Sequence, residues 1–227
     1  MSRPPKKFIT PEKSQVASLT QKASVLHQQG NLAEAQVIYE QILKIQPNHF
    51  DALQLLGVLF AQIKKYSQAV EFLSKAIEIN PNHAGAYNNR GIALKELKYF
   101  DDALASYDQA IAINPSHAGA QSNRGIVLKE LKRFDEALAS YDQAIILKTD
   151  YVDAYSNRGN LLRELKRFDE ALASYDQAIA INPNHAFSYS NRGSVLQDLS
   201  RFDEALASYD QAIVLNPNHA GTFSNRG

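Results

Sequence analysis

The sequence predicts an all-α solenoid of stacked antiparallel helix pairs. A loop containing proline recurs every 34 residues, as Pro47, Pro81 and Pro115 show. Each period holds two stretches whose apolar residues recur at helical spacing. A two-helix unit of this length cannot bury its apolar face alone, so successive copies must stack around a continuous core.

The proline loop sets the register of the repeats. With its proline at position 32, the six repeats span residues 16–49, 50–83, 84–117, 118–151, 152–185 and 186–219. Residues 220–227 begin a partial seventh repeat, a stub of its first helix, and stop at the glycine. Residues 1–15 are basic and contain prolines, and we predict a disordered lead there. Positions below are counted from 1 to 34 within a repeat.

The third repeat illustrates the expected fold. Apolar residues between Tyr87 and Leu97 define a first helix, A, and those between Ala103 and Ile113 define a second, B. We expect the turn between them near Tyr99. Pro115 ends helix B because it cannot continue the hydrogen-bond ladder, and the following Ser116 is suited to cap the next helix A.

Two local features need a physical reason. Position 8 is glycine in five repeats, and a glycine inside a helix costs about 1 kcal/mol relative to alanine. Alanine recurs at position 20, so we predict that small residues let the two helices approach closely. At the end of repeat four Thr149 replaces the proline. We therefore expect helix B of that repeat to run longer than its neighbours.

These positions carry a family resemblance. An aromatic residue or leucine at position 4, glycine or alanine at 8, an apolar residue at 11, alanine at 20, an aromatic at 24, alanine at 27 and proline at 32 resemble the tetratricopeptide repeat. The departures are Gln121, Thr149 and Ile42. The resemblance implies a right-handed α-α superhelix in which helix A lines the concave surface. It further implies binding of an extended segment of another protein on that surface.

Composition and motifs argue against several other classes. The 24 lysines and arginines balance the 24 aspartates and glutamates, so no net charge attracts nucleic acid or an anionic membrane. Cysteine is absent, and the recurrent histidines lie one repeat apart, too far to share a metal ion. Neither a secretory signal nor a membrane span is visible, and we expect a cytoplasmic protein. No catalytic motif or cofactor-binding loop is recognisable, so we expect this chain alone not to be an enzyme.

A row of asparagines marks the candidate binding surface. Position 6 holds Asn89, Asn123, Asn157, Asn191 and Asn225. An amide offers two donors and an acceptor, which can satisfy the backbone of an extended peptide without reading its sequence. The row resembles the asparagine ladder in the superhelical arm of O-linked N-acetylglucosamine transferases. The alternative is that these residues are only the polar part of a solvated face.

Charged residues accompany this row. Position 12 holds Lys95, Lys129 and Arg163, which lie near the same surface and complete the predicted peptide-binding set. Glutamates at position 13 offset their charge, so no strongly acidic ligand is selected. Position 7 holds arginine in four repeats, and each of these repeats has aspartate at position 25. Because charge appears and vanishes at both positions together, we predict an ion pair within each repeat.

Two hypotheses for the function follow. The first is a protein-interaction scaffold that holds an extended peptide segment. The second is the substrate-recognition arm of a longer bacterial glycosyltransferase, similar to protein O-linked N-acetylglucosamine transferases of the SPINDLY-like group, cut at residue 227. Because the last repeat is followed only by a stub, we also expect end-to-end self-association through the uncapped carboxyl-terminal end.

Overall fold

The computed structural model describes residues 11–217, and every regular element within that range is an α-helix. The predicted all-α class of stacked helix pairs is therefore confirmed. The chain divides into two compact units, one ending at Ile113 and the other beginning at Asn114. Unit 1 contains α1 (Pro11–Gln28), α2 (Leu32–Ile45), α3 (Phe50–Gln62), α4 (Tyr66–Ile79), α5 (Ala84–Glu96) and α6 (Phe100–Ile113). Unit 2 contains α7 (Ala118–Glu130), α8 (Phe134–Leu147), α9 (Val152–Glu164), α10 (Phe168–Ile181), α11 (Ala186–Asp198) and α12 (Phe202–Leu215).

The packing follows one scheme in both units. Each odd-numbered helix is a helix A, and it packs most extensively on the helix B that follows it. Each helix B within a unit then packs on the next helix A, so the pairs form a stack. Helices A of successive repeats also touch, α7 with α9 and α9 with α11 in unit 2. Side chains that project from these three helices can therefore share one surface.

The turn from helix A to helix B has the same geometry in each repeat. Its position-15 residue has a positive φ, 81° for Gly30 and 59° to 64° for the residues that replace it. Those residues are Lys64, Lys98, Lys132, Lys166 and Ser200. The next N–H donates back to the last turn of helix A, as Lys65 does to the carbonyl of Phe60 at 2.8 Å. This is the Schellman ending of a helix, and it holds four lysines in a conformation that glycine adopts more easily.

Histidine at position 34 of the first three repeats caps the helix A that follows it. The Nδ1 atoms of His49, His83 and His117 accept hydrogen bonds from the N–H three residues later, at 3.0 to 3.3 Å. Our assignment of this role to Ser116 is wrong, because the Ser116 N–H and hydroxyl both donate to Asn114 at the end of the preceding helix. An imidazole with an unprotonated nitrogen can replace the usual oxygen acceptor at a helix start.

The boundary between repeats four and five is regular, which contradicts the prediction of a longer helix there. α8 ends at Leu147, the same repeat position at which α6 and α10 end. Lys148 leaves the helix with extended backbone while its N–H still bonds the carbonyl of Ala144 at 3.0 Å. Because α9 must pack on α8, tertiary packing ends the helix without the proline.

Helix α1 begins inside the segment for which a disordered lead was expected. Residues 11–15 belong to the first turns of α1 rather than to a disordered segment. Residues 1–10 and the stub at 220–227 lie outside the described residues. The expectations about them are therefore untested.

The position-8 glycine makes room for an aromatic ring. A Cβ built on Gly125 would lie 2.6 Å from the Tyr141 ring, and one on Gly91 would lie equally close to Tyr107. Both tyrosines are essentially fully buried. The position-20 alanines are buried as well, but the partner of the glycine is the position-24 ring. Helices A and B approach closely, as expected. The reason is the tyrosine ring on helix B, which leaves no room for a side chain at position 8.

We predict that Gly125→Ala lowers the free energy of unfolding by about 1–3 kcal/mol, because the rigid Tyr141 ring cannot yield to the added methyl group. Gly119→Ala is a matched control in the same helix, since its Cβ would meet only His117 at 3.4 Å. That substitution should leave stability unchanged or raise it by up to about 1 kcal/mol. Urea unfolding followed by circular dichroism measures both, and equal effects would contradict the assignment.

Candidate functional site

Three of the predicted asparagines line one cavity in unit 2. Asn123, Asn157 and Asn191 project from α7, α9 and α11 into a cavity of about 410 Å³. Each of the three is half-buried. The position-6 residues therefore share a surface across successive repeats, as their spacing predicts. The remaining lining consists mainly of polar and aromatic side chains.

A short hydrogen-bond chain connects this cavity to the core. The Asn191 amide donates to Oδ1 of Asn160 at 2.9 Å, and the Tyr175 hydroxyl donates to the same oxygen at 2.7 Å. Burial raises the pKa of the Tyr175 hydroxyl, so it remains a proton donor. Within residues 11–217 the Asn157 side chain makes no hydrogen bond. Its amide is available to a ligand.

Asn160 belongs to the site and was missed at the sequence level. It occupies position 9, where the third and fourth repeats carry Ile92 and Ile126. In repeat six the same position is Ser194, which accepts a hydrogen bond from Tyr209 at 3.2 Å. In repeat three, by contrast, the hydroxyl of Tyr107 is buried without a hydrogen-bond partner. The change from isoleucine to a polar residue at position 9 was the available signal.

Asn89 occupies a different environment in unit 1. It lines a cavity of about 360 Å³ with Val58, Ile92, Tyr66 and other residues of α3 to α5. Its Oδ1 accepts a long hydrogen bond of 3.5 Å from Asn88. This cavity is more apolar than the one in unit 2. Asn225, the fifth predicted asparagine, lies outside the described residues.

The position-12 cations are engaged in ion pairs. Lys129 lies 3.1 Å from Glu164, and Arg163 donates to Asp198 at 2.7 Å. In both pairs the acid is position 13 of the following helix A, whereas Lys95 pairs with its neighbour Glu96 at 2.8 Å. The hydrogen bond from Lys129 holds the pKa of the Glu164 carboxyl below its ordinary value. Lys129 and Arg163 therefore join neighbouring repeats, and each of the three cations is paired with an acid.

Arg158 and Arg192 at position 7 form their ion pairs with the preceding repeat, so our within-repeat prediction is wrong for these two arginines. Nε of Arg158 donates to Asp142 at 2.6 Å, and Arg192 makes the same contact with Asp176. Within its own repeat Arg158 donates instead to the hydroxyl of Ser174 at 2.7 Å. Arg158 and Arg192 therefore each bridge two successive B helices.

Within its own repeat, each position-7 arginine contacts the residue at position 23, and the sequence contains a signal for this contact. That residue is serine in the four repeats that carry arginine at position 7, but it is Phe72 opposite Leu56 in the second repeat. The four arginine–serine bonds measure 2.7 to 3.2 Å. Serine occupies the space facing position 7 within the repeat, and the aspartate lies on the other side. Charge at positions 7 and 25 does vary together, but this covariation does not identify which aspartate the arginine contacts.

We predict a coupling free energy of about 0.5–1 kcal/mol between Arg158 and Asp142 in a double-mutant cycle. The pair is only partly exposed, and the distance from its nitrogen to its oxygen is short. The variants are Arg158→Met and Asp142→Asn, measured by urea unfolding. A second cycle, between Arg158 and Asp176 of its own repeat, should give a coupling free energy near zero. The reverse order of the two couplings would refute the observed pairing.

Two other kinds of site are absent from residues 11–217. No group of three or more histidine, aspartate or glutamate side chains in this range could hold a metal ion. No described helix is long and apolar enough to cross a membrane. The cavities lined by helices A are therefore candidate ligand sites in the described part of the chain.

Comparison with known families gives consistent matches along most of the chain. Models of the tetratricopeptide repeat match residues 26–89, 88–151, 152–185 and 186–219. None of the curated proteins that were compared matches the chain.

Solved structures share the fold at low sequence identity. PilF from Pseudomonas aeruginosa is 21% identical, with a TM-score of 0.80 over 94% of this chain and 97% of that protein. PilW, described as a type IV pilus biogenesis factor, is 18% identical, with a TM-score of 0.84 over 92% and 97%. YrrB, described as a repeat protein with an unusual peptide-binding site, is 21% identical, with a TM-score of 0.63 over 82% and 96%. At these identities the similarity establishes the fold.

Proposed function

Because the chain belongs to the tetratricopeptide repeat family, whose members are protein-interaction scaffolds, we propose that it binds an extended segment of another protein along its A helices. The observation that carries this proposal is the cavity that Asn123, Asn157 and Asn191 share. It places one amide per repeat along a single surface. The amide of Asn157 is unengaged there, which leaves it able to bind a peptide backbone.

The proposed binding mode is directed at the peptide backbone. A side-chain amide can donate to a peptide carbonyl and accept from a peptide N–H, whatever the peptide sequence. The cations that flank the asparagine row are paired with Glu164 and Asp198, so the surface has no surplus positive charge to select an acidic ligand. Peptide binding in this mode tolerates many sequences. YrrB, whose description names a peptide-binding site, provides a precedent within the same fold.

We predict that replacing Asn123, Asn157 and Asn191 together by alanine lowers peptide affinity at least tenfold, whereas one replacement lowers it only a few-fold. Each backbone-directed hydrogen bond contributes about 0.5–1.5 kcal/mol, and the three asparagines line one cavity, so they act on one ligand. Fluorescence anisotropy with a labelled random-sequence peptide library measures the affinity, and circular dichroism verifies the helix content.

A matched control removes three amides from helices B of the same unit. Position 26 of helix B carries a glutamine in repeats four to six, Gln143, Gln177 and Gln211. Changing these to alanine should leave binding intact. If the asparagine variant keeps full affinity with its helices intact, the position-6 row is only a solvated face and the proposal fails.

The hypothesis of a glycosyltransferase arm has no separate support. The matching family models describe the repeat itself, and the solved relatives reported above are not described as transferases. The encoded sequence beyond Gly227 tests it directly. A glycosyltransferase domain there would make the proposed peptide-binding surface a substrate-recognition arm.

The last described helix supports self-association as a second role. Leu206 on α12 is 43% exposed, whereas Leu172 at the same position of α10 is 8% exposed beneath the next repeat. Phe202 and Val214 on α12 are exposed as well. An apolar face of this kind favours association with a second copy.

We predict a concentration-dependent dimer in sedimentation velocity that Leu206→Lys abolishes, because a charge at the centre of this face opposes its burial. Ala207→Lys is the matched control, since Ala207 is exposed on the adjoining side of the same helix. It should leave the dimer unchanged. A monomer at all concentrations for the unmodified protein would exclude this role.

A further inference from the structure

The unit 2 cavity contains a carboxylate without a partner. Asp153 is the second residue of α9 and the one aspartate or glutamate among the residues that line the cavity. No lysine or arginine lines it. Within residues 11–217 Asp153 is exposed and makes no ion pair or side-chain hydrogen bond. The carboxylate of Asp153 is therefore not paired with any cation of the lining itself.

Aromatic rings form part of the same wall. Phe187, the second residue of α11, lines the cavity and is 52% exposed. Tyr151 precedes α9 and also lines it, and the ammonium of Lys148 lies 4.9 Å from the centre of the Tyr151 ring. This contact demonstrates that an aromatic ring at the site accepts a cation on its face. Phe187 offers a second face of the same chemical kind.

The side chain of Asn157 adds a neutral hydrogen-bond acceptor to the lining of the cavity. Asn157 is one helical turn after Asp153 on α9, lines the cavity and makes no hydrogen bond within the described residues. Residues four apart on a helix lie on the same face. The carboxylate of Asp153 and the amide oxygen of Asn157 are thus two acceptors on one side of the cavity, and Phe187 belongs to the neighbouring helix A.

We propose that this cavity binds an arginine side chain of the extended segment. The inference rests on the proposed function and adds a preferred residue to an otherwise sequence-tolerant surface. A guanidinium is planar and always charged, and it carries five N–H donors. It can donate to the carboxylate of Asp153 and the amide of Asn157 while stacking on Phe187. A lysine ammonium lacks the plane and has fewer donors, so it satisfies these groups less completely.

The test compares two peptides that differ only in charge. A fluorescein-labelled peptide of alternating serine and alanine carries either arginine or the isosteric, neutral citrulline at its centre. With the unmodified protein, fluorescence anisotropy should show the arginine peptide binding about five- to tenfold more tightly, the sum of a partly exposed ion pair and a cation–π contact. Asp153→Asn should reduce this preference to less than about twofold, the remainder being the contact with Phe187.

Asp203→Asn provides the matched control. Asp203 is the second residue of α12, so its replacement removes the same charge from the same place in a helix, and it does not line the cavity. This variant should keep the full preference for arginine. Loss of the preference in both variants would mean that net charge alone attracts the peptide and would overturn the proposal.

The remaining outcomes separate this inference from the proposed function. Equal binding of the arginine and citrulline peptides to the unmodified protein overturns the arginine pocket but leaves the asparagine surface standing. Failure of both peptides to bind overturns the two together. A preference for arginine that persists in Asp153→Asn would exclude Asp153 as its cause and would likewise contradict the proposal.

Discussion

The contact between the position-24 ring and the position-8 glycine determines how helices A and B fit together. A methyl group on Gly125 would lie 2.6 Å from the Tyr141 ring, so the two helices can adopt this spacing only when helix A lacks a side chain there. The glycine lowers the helix propensity of helix A, but it allows a whole aromatic ring to be buried. That burial contributes far more to the free energy of folding. The same contact fixes the rotation of helix A about its axis. It thereby determines which positions face the cavity.

The sequence was sufficient for the fold because each weak signal recurs in several repeats. The period, the proline loop and the apolar spacing predicted the helix pairs, and the position-6 row correctly placed Asn123, Asn157 and Asn191 on one surface. Geometry between repeats was less accessible. The partner of Arg158 depends on how far one pair is displaced from the next, and the covariation of positions 7 and 25 favoured the aspartate of its own repeat instead.

The remaining differences arise where tertiary packing overrides a local preference. Proline was expected to end helix B, yet α8 ends at Leu147 without it, because the next helix has to fold back at that point. A glycine would be the natural residue at the left-handed turn, yet Lys98 and its counterparts adopt the same conformation. In both cases the fold imposes a backbone geometry that the local sequence only weakly favours. Histidine caps escaped prediction for a different reason, since imidazole is an uncommon acceptor at a helix start.

Position 9 links the binding surface to the core. Where it is Asn160, its oxygen receives the buried hydroxyl of Tyr175, and where it is Ile92, the hydroxyl of Tyr107 is left without a partner. An unsatisfied buried hydroxyl costs about 1–3 kcal/mol. A substitution at position 9 therefore changes the folding stability of its repeat as well as the lining of the proposed binding surface. A change from isoleucine to asparagine satisfies the hydroxyl, whereas the reverse change leaves it unsatisfied unless the tyrosine at position 24 is also replaced by phenylalanine.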